Sequence, residues 1–216
     1  MPYRILALMT VLSAFFCLAS CKESDSTTSS ANEASQSTPE PMDEPVVTSP
    51  VVRAQPLALG ETAPDFTLST PGQESFHLAD RLEQGPMVLT VLRGWPGYQC
   101  PICTRQVGEF LTQAEAFKSA GTQVLFVYPG PSEQLAEHSE EFFQNTTLPE
   151  GFSFVIDPDY SFTNLYGLRW DAPRETAYPS TFVIDTEGVV QFAKVSDDHG
   201  GRAKVAEVLQ ALDDLN

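Results

Sequence analysis

The sequence predicts an α/β domain, with a mixed central sheet flanked by helices and opened by an N-terminal β-hairpin. Three observations carry this reading. Nearly unbroken apolar runs at residues 87–93, 123–128 and 152–157 have the character of central strands buried on both faces. Segments of helical period separate those runs. Short alternating runs joined by turn residues stand before the first apolar run and after the last, as hairpins do. That order suits one domain with helices on both sheet faces and right-handed crossovers between the parallel strands.

The elements follow in chain order. Phe66 and Leu68 alternate with polar residues, Pro71-Gly72 turns the chain, and Phe76 with Leu78 repeats the alternation, which makes the first hairpin. Residues 79–84 form about one helical turn before Gly85-Pro86. After the strand at 87–93, apolar residues at 103, 107, 110, 111, 114 and 117 predict a single amphipathic helix running to Ala120. The strand at 123–128 stops at Pro129-Gly130-Pro131, and Ser132 is placed to cap the next helix, which runs to about Gln144 with Leu135, Phe142 and Phe143 inward. Residues 158–166 hold a short helix with Phe162, Leu165 and Tyr166. Residues 168–177 show no period and read as a loop carrying Arg169, Trp170 and Arg174. Residues 179–185 and 189–195 flank Thr186-Glu187-Gly188 as the second hairpin, and 202–215 form a terminal helix with Val205, Val208, Leu209 and Leu212 on one face.

The folded domain is expected over residues 57–216. Ahead of it, residues 21–56 are rich in Ser, Thr, Pro and acidic residues and too poor in apolar groups to offset their ordering entropy, so they read as a disordered tether. Residues 1–20 carry Arg4, a mostly apolar run to Leu18 and a close at Leu18-Ala19-Ser20 before Cys21, the layout of a secretory signal. These last residues resemble the lipobox of bacterial lipoproteins. The resemblance implies cleavage before Cys21, lipidation of Cys21 and loss of Cys17, and it places the protein outside the cytosol, held to a membrane of the cell envelope. The alternatives are an ordinary signal peptide and an uncleaved anchor, and for the anchor the apolar run is short against the roughly 20 residues that span a bilayer. Lys22 after the lipidated position accompanies export to the outer membrane if the host is Gram-negative.

The net charge of −17 is spread along the chain. Phosphate binding needs clustered Lys and Arg, so a nucleic-acid partner is excluded from the reading. His77, His138 and His199 follow no ligand spacing, so no metal site is expected, and no motif calls for a cofactor. The chemistry falls to Cys100-Pro101-Ile102-Cys103. It opens a helix, where free backbone N–H groups and the positive end of the helix dipole favour a thiolate, the reactive form of sulfur. Pro101 fits the first turn, where its missing N–H is not needed. The pair reads as a redox dithiol. A structural disulfide and half of a zinc site are the alternatives, the latter lacking a second ligand pair.

Residues 60–68 (GETAPDFTL), the Cys-x-x-Cys after a buried strand and residues 178–185 (YPSTFVID) together resemble the thioredoxin-fold redoxins, the group of alkyl hydroperoxide reductases, peroxiredoxins and secreted thiol–disulfide reductases. The resemblance implies a thioredoxin-like fold and a thiol-dependent oxidoreductase with thiol or disulfide partners, protein or small molecule, or peroxides. Against the peroxiredoxin pattern Pro-x-x-x-Thr-x-x-Cys, Pro96 is followed by Cys100 in the Thr position and Cys103 in the peroxidatic one. The arginine expected shortly before the Thr-Phe-Val-Ile-Asp strand is absent, and Arg93, Arg169 and Arg174 are the candidates to replace it. Pro179 resembles instead the cis-proline that faces the dithiol in thioredoxins, with an ordinary trans residue at a strand start as the alternative. In that pattern Cys100 is the exposed nucleophile and Cys103 resolves; in the peroxidase pattern Cys103 attacks. Pro96, Pro101, Pro179 and Thr181 are expected to line the site. Trp95 lines it or covers the core. Copper-delivery proteins share the fold, but their histidine near position 178–179 is missing.

Overall fold

The computed structural model describes residues 52–144 and 146–215. The expected signal segment at 1–20, Cys21 and the tether up to residue 51 lie outside the described residues. Residues ahead of the expected start at 57 already bond to the domain. The Arg53 N–H donates to the Asn164 carbonyl at 3.0 Å and the Leu57 N–H to that of Tyr166 at 3.2 Å. Among the described residues, no helix is long and apolar enough to cross a membrane.

Seven strands form one mixed sheet: β1 (Thr67–Ser69), β2 (Ser75–His77), β3 (Met87–Val91), β4 (Gln123–Gly130), β5 (Phe152–Pro158), β6 (Ser180–Ile184) and β7 (Val190–Val195). Their spatial order is β2-β1-β5-β4-β3-β6-β7. The three apolar strands β3, β4 and β5 are parallel neighbours at the centre, and the two hairpins close the edges in antiparallel pairing. The thioredoxin-like plan expected from the sequence is the one observed.

Period-two alternation splits the core in two. Met87, Leu89, Val91, Leu125, Val127, Phe182 and Ile184 face one side, packed under α1 (Leu78–Leu82), α5 (Ser161–Leu165) and the first hairpin. Val88, Leu92, Val124, Phe126, Tyr128 and Val183 face the other, beneath α2 (Pro101–Thr112), α3 (Ala114–Ser119), α4 (Leu135–Phe142) and α6 (Val205–Asp213). Both cysteines belong to this second layer.

Three local expectations change. The single helix after the dithiol is two, broken at Gln113; the Thr112 hydroxyl donates back to the Glu109 carbonyl at 2.8 Å, a bond that bends helices. Phe110 and Phe117, on either side of the break, still stack with ring centroids 5.5 Å apart. Strand β4 does not stop at Pro129, because the proline's carbonyl accepts the Trp95 N–H at 2.9 Å and its backbone stays in register with Asp157. Ser132 does not cap α4. Its N–H donates to the Asp159 carboxylate at 2.9 Å, and the helix starts after Gln134, which is left-handed at φ 58°.

Candidate active site

The site lies beyond the carboxyl ends of β3 and β4, where α/β sheets place their ligands. Glycine brings the two chains together there. Gly94 has φ +67°, and a Cβ added to it would overlap the backbone of Pro129. Trp95 then turns back over the second core layer and stacks on His138, ring centroids 3.6 Å apart, so it covers the core. Gln99 ties the same loop down: its amide donates to the His138 carbonyl at 2.8 Å and its oxygen accepts the Tyr128 hydroxyl at 2.8 Å.

Cys100 is the N-cap of α2. Its sulfur accepts the Cys103 N–H at 3.3 Å, in the way a Ser or Asp oxygen would cap a helix, and Pro101 follows in the first turn. Because the cap folds the sulfur back onto the helix, Cys100 is only 4% exposed, against the expectation of an exposed nucleophile; Pro101 beside it is exposed. Cys103 is 1% exposed. Both thiols are free. The Cys103 sulfur accepts the Arg93 N–H at 3.4 Å and Nη2 of Arg202 at 3.2 Å.

These contacts separate the two thiols. The hydrogen bond from the Cys103 thiol lowers the pKa of Cys100 to about 6 against the opposing effect of burial, helped by the Cys103 N–H and by the charges of Arg202 and Arg93. Burial pushes Cys103 the other way, well above the usual thiol range, and the Cys100 thiolate adds to that rise. One proton shared by two sulfurs favours the thiolate at Cys100 and the thiol at Cys103.

None of the three arginines named from the sequence brings its guanidinium to sulfur. Arg93 is 3% exposed and committed elsewhere. Its Nε and Nη2 reach the Glu175 carboxylate at 2.7 and 3.1 Å, and it also donates to the Tyr98 hydroxyl and the Arg174 carbonyl. Glu175 is held below the ordinary carboxylate range: burial acts to raise it, but the hydrogen bonds from Arg93 and His199 outweigh that. The Thr176 hydroxyl closes the arrangement on the Arg93 carbonyl. Arg169 lies over the Tyr160 ring, 3.9 Å to its centroid, and bonds carbonyls of its own loop, while Arg174 contributes only its backbone.

The guanidinium at sulfur comes from Arg202, read from the sequence only as the start of the last helix. It also donates to Gln106 at 2.6 Å and to the His199 carbonyl at 3.1 Å. No period or motif marks it, since 99 residues separate it from Cys103. Pro179 is buried, one residue before the Val91–Ser180 pair of β3 and β6, which puts it at the dithiol end of the sheet. Thr181 lies one step further in, paired with Thr90, their hydroxyls 3.5 Å apart. Pro96 is half-buried in the loop over the site. A larger cavity of about 470 Å³, between Arg81, Phe143 and Phe154, contains none of these residues.

The sequence model of the AhpC/TSA family matches residues 59–193. The chain belongs to the AhpC/TSA family. Peroxiredoxin Bcp of Bacillus subtilis is 27% identical over 169 residues, covering 74% of this chain and 98% of the relative. The thiol-disulfide oxidoreductase ResA of Geobacillus thermodenitrificans is 30% identical over 135 residues, covering 62% and 68%. Among solved structures, reduced Prx3 of Vibrio vulnificus in complex with hydrogen peroxide superposes with a TM-score of 0.60 at 22% identity, covering 72% of this chain and 99% of that one. As a member of the AhpC/TSA family with a peroxiredoxin-like fold and a paired dithiol, the protein is a thiol-dependent oxidoreductase.

Proposed function

We propose that this enzyme exchanges disulfides, with Cys100 as the attacking sulfur and Cys103 as the resolving one. The observation that carries this reading is the N-cap position of Cys100, whose sulfur receives a helix N–H and titrates near 6 while its partner is pushed up. The Cys100 thiolate attacks one sulfur of a substrate disulfide, forming a mixed disulfide and releasing a thiolate that takes up a proton. Cys103 then loses its proton and attacks Cys100, releasing the second thiol and leaving the 100–103 disulfide. The substrate gains two electrons and the dithiol loses them. Two residues between the cysteines on one helical turn keep the second step intramolecular.

A second reading has its own observation. The Arg93 N–H and the Arg202 guanidinium converge on Cys103, a donor pair that would also orient a peroxide at that sulfur. One experiment separates the two. The reduced protein, with Cys100→Ser and Cys103→Ser alongside, is mixed with hydrogen peroxide and with a small disulfide while thiol loss is followed. Disulfide exchange that requires Cys100, with slow peroxide oxidation, is the expected result. Fast peroxide oxidation that survives Cys100→Ser and fails in Cys103→Ser assigns a peroxidase.

The residues around Cys21 support an extracytoplasmic, lipid-anchored enzyme. Cys21→Ser is expected to abolish fatty-acid labelling and release the protein from the membrane fraction; unchanged labelling would exclude that anchor.

A further inference from the structure

Beside the dithiol runs a cleft of about 270 Å³ lined by Ile102, Arg105, Gln106, Glu109, Gly200, Arg202, Ala203 and Lys204. Its charge is opposite to that of the molecule. The chain has 12 Lys and Arg against 29 Asp and Glu. Three of those 12 cations meet on these eight residues, where an even spread would put fewer than one; Glu109 is the acidic residue of the lining, and the Glu207 carboxylate accepts the Lys204 N–H at 2.7 Å while its charge is also shared with Lys194. The nearest other carboxylate of this loop, Asp198, is turned onto the Gly200 and Gly201 N–H groups at 2.6 and 2.7 Å. Among the described residues, Arg105 and Lys204 make no ion pair through their side chains, and both are exposed.

The cleft also reaches the chemistry. Arg202 spans it from Gln106 to the Cys103 sulfur, and Ile102, between the two cysteines, forms part of its wall. Its volume suits one end of a small molecule better than a protein surface. A local positive potential in a strongly negative molecule draws anions to this point and away from the rest of the surface.

We propose that this cleft is a carboxylate subsite, and that the substrate is a small anionic disulfide whose carboxylate lies between Arg105 and Lys204 while its sulfurs meet Cys100. This rests on the disulfide-exchange reading above. The electron balance is that of the exchange already written, one disulfide reduced to two carboxylate-bearing thiols as the 100–103 disulfide forms.

The test compares three disulfides of similar length: 3,3′-dithiodipropionate (two negative charges), bis(2-hydroxyethyl) disulfide (neutral) and cystamine (two positive charges). Each is mixed with the full-length reduced protein and with Arg105→Gln/Lys204→Gln, whose fold is checked by circular dichroism. The dianion is expected to react about tenfold faster than the neutral compound at low salt, and cystamine slowest. The ratio of dianion to neutral rates should collapse toward unity at high salt and in the double variant. Suberate, a dicarboxylate of the same length without sulfur, should slow alkylation of Cys100 in the wild type and not in the double variant. Equal rates for dianion and neutral compound, or a preference that the double variant keeps, would overturn the subsite while leaving disulfide exchange standing. If suberate protects Cys100 but no disulfide reacts, the subsite stands and the exchange reading falls.

Discussion

At the scale of single residues, the chemistry rests on a difference between two sulfurs three positions apart. Iodoacetamide should alkylate Cys100 with a rate that rises with pH to a midpoint near 6, and Cys103 should remain unreactive until higher pH. Arg202→Gln removes a cation that lowers both thiols, so the Cys100 midpoint should move up and its alkylation at pH 6 fall by several-fold. The depressed Cys100 pKa also has a stability consequence. Between the folded value of about 6 and the ordinary thiol value of 9.0, the unfolded chain holds a proton that the folded chain lacks. Stability from this group is therefore fully present above about 9 and is lost as the pH falls through 6. Denaturation of the reduced protein, compared with Cys100→Ser, should show a difference growing with pH in that window by at most about 1.4 kcal/mol per unit. The dithiol itself was legible from its spacing and helix position. The near-complete burial of Cys100 does not follow from the motif, because it depends on how the cap folds back.

At the scale of elements, the site is held by joins between strand ends and loops. Gly94 allows the chain after β3 to pass against Pro129 of β4, so Gly94→Ala meets both a clash and a left-handed backbone. A loss of about 2–4 kcal/mol is expected by chemical denaturation, with the Trp95–His138 stack and its fluorescence altered. The second join is the Arg93–Glu175 pair, whose side chains are 3% and 12% exposed. Glu175→Gln leaves Arg93 buried without its counter-charge and should cost about 3–5 kcal/mol. Glu175 is held below the carboxylate range, so its contribution is present above about pH 4.5 and is lost as the pH falls further. An acid-denaturation profile should lose that limb in Glu175→Gln. Most elements could be read from periodicity, as the alternation of β3, β4 and β6 between two core layers shows. The break at Gln113 and the extension of β4 through Pro129 could not, since one depends on a side-chain bond to backbone and the other on a carbonyl used by a distant N–H.

At the scale of the whole molecule, a chain of net charge −17 brings the Arg93 N–H and the Arg202 guanidinium to the Cys103 sulfur and gathers Arg105, Arg202 and Lys204 on the cleft beside it. Net charge was visible in the sequence and its local reversal was not. By itself the sequence determined the α/β class, the strand order along the chain, and the place of the cysteine pair at a helix start, because these depend on hydrophobic period, turn residues and spacing within a few positions. The tertiary structure alone decided which arginine faces the sulfur, that Glu175 and Thr176 hold Arg93, and that Arg105, Arg202 and Lys204 share a cleft. Those contacts join residues about 80 to 100 positions apart, and they are set by where loops and helices land on a closed sheet rather than by any local pattern.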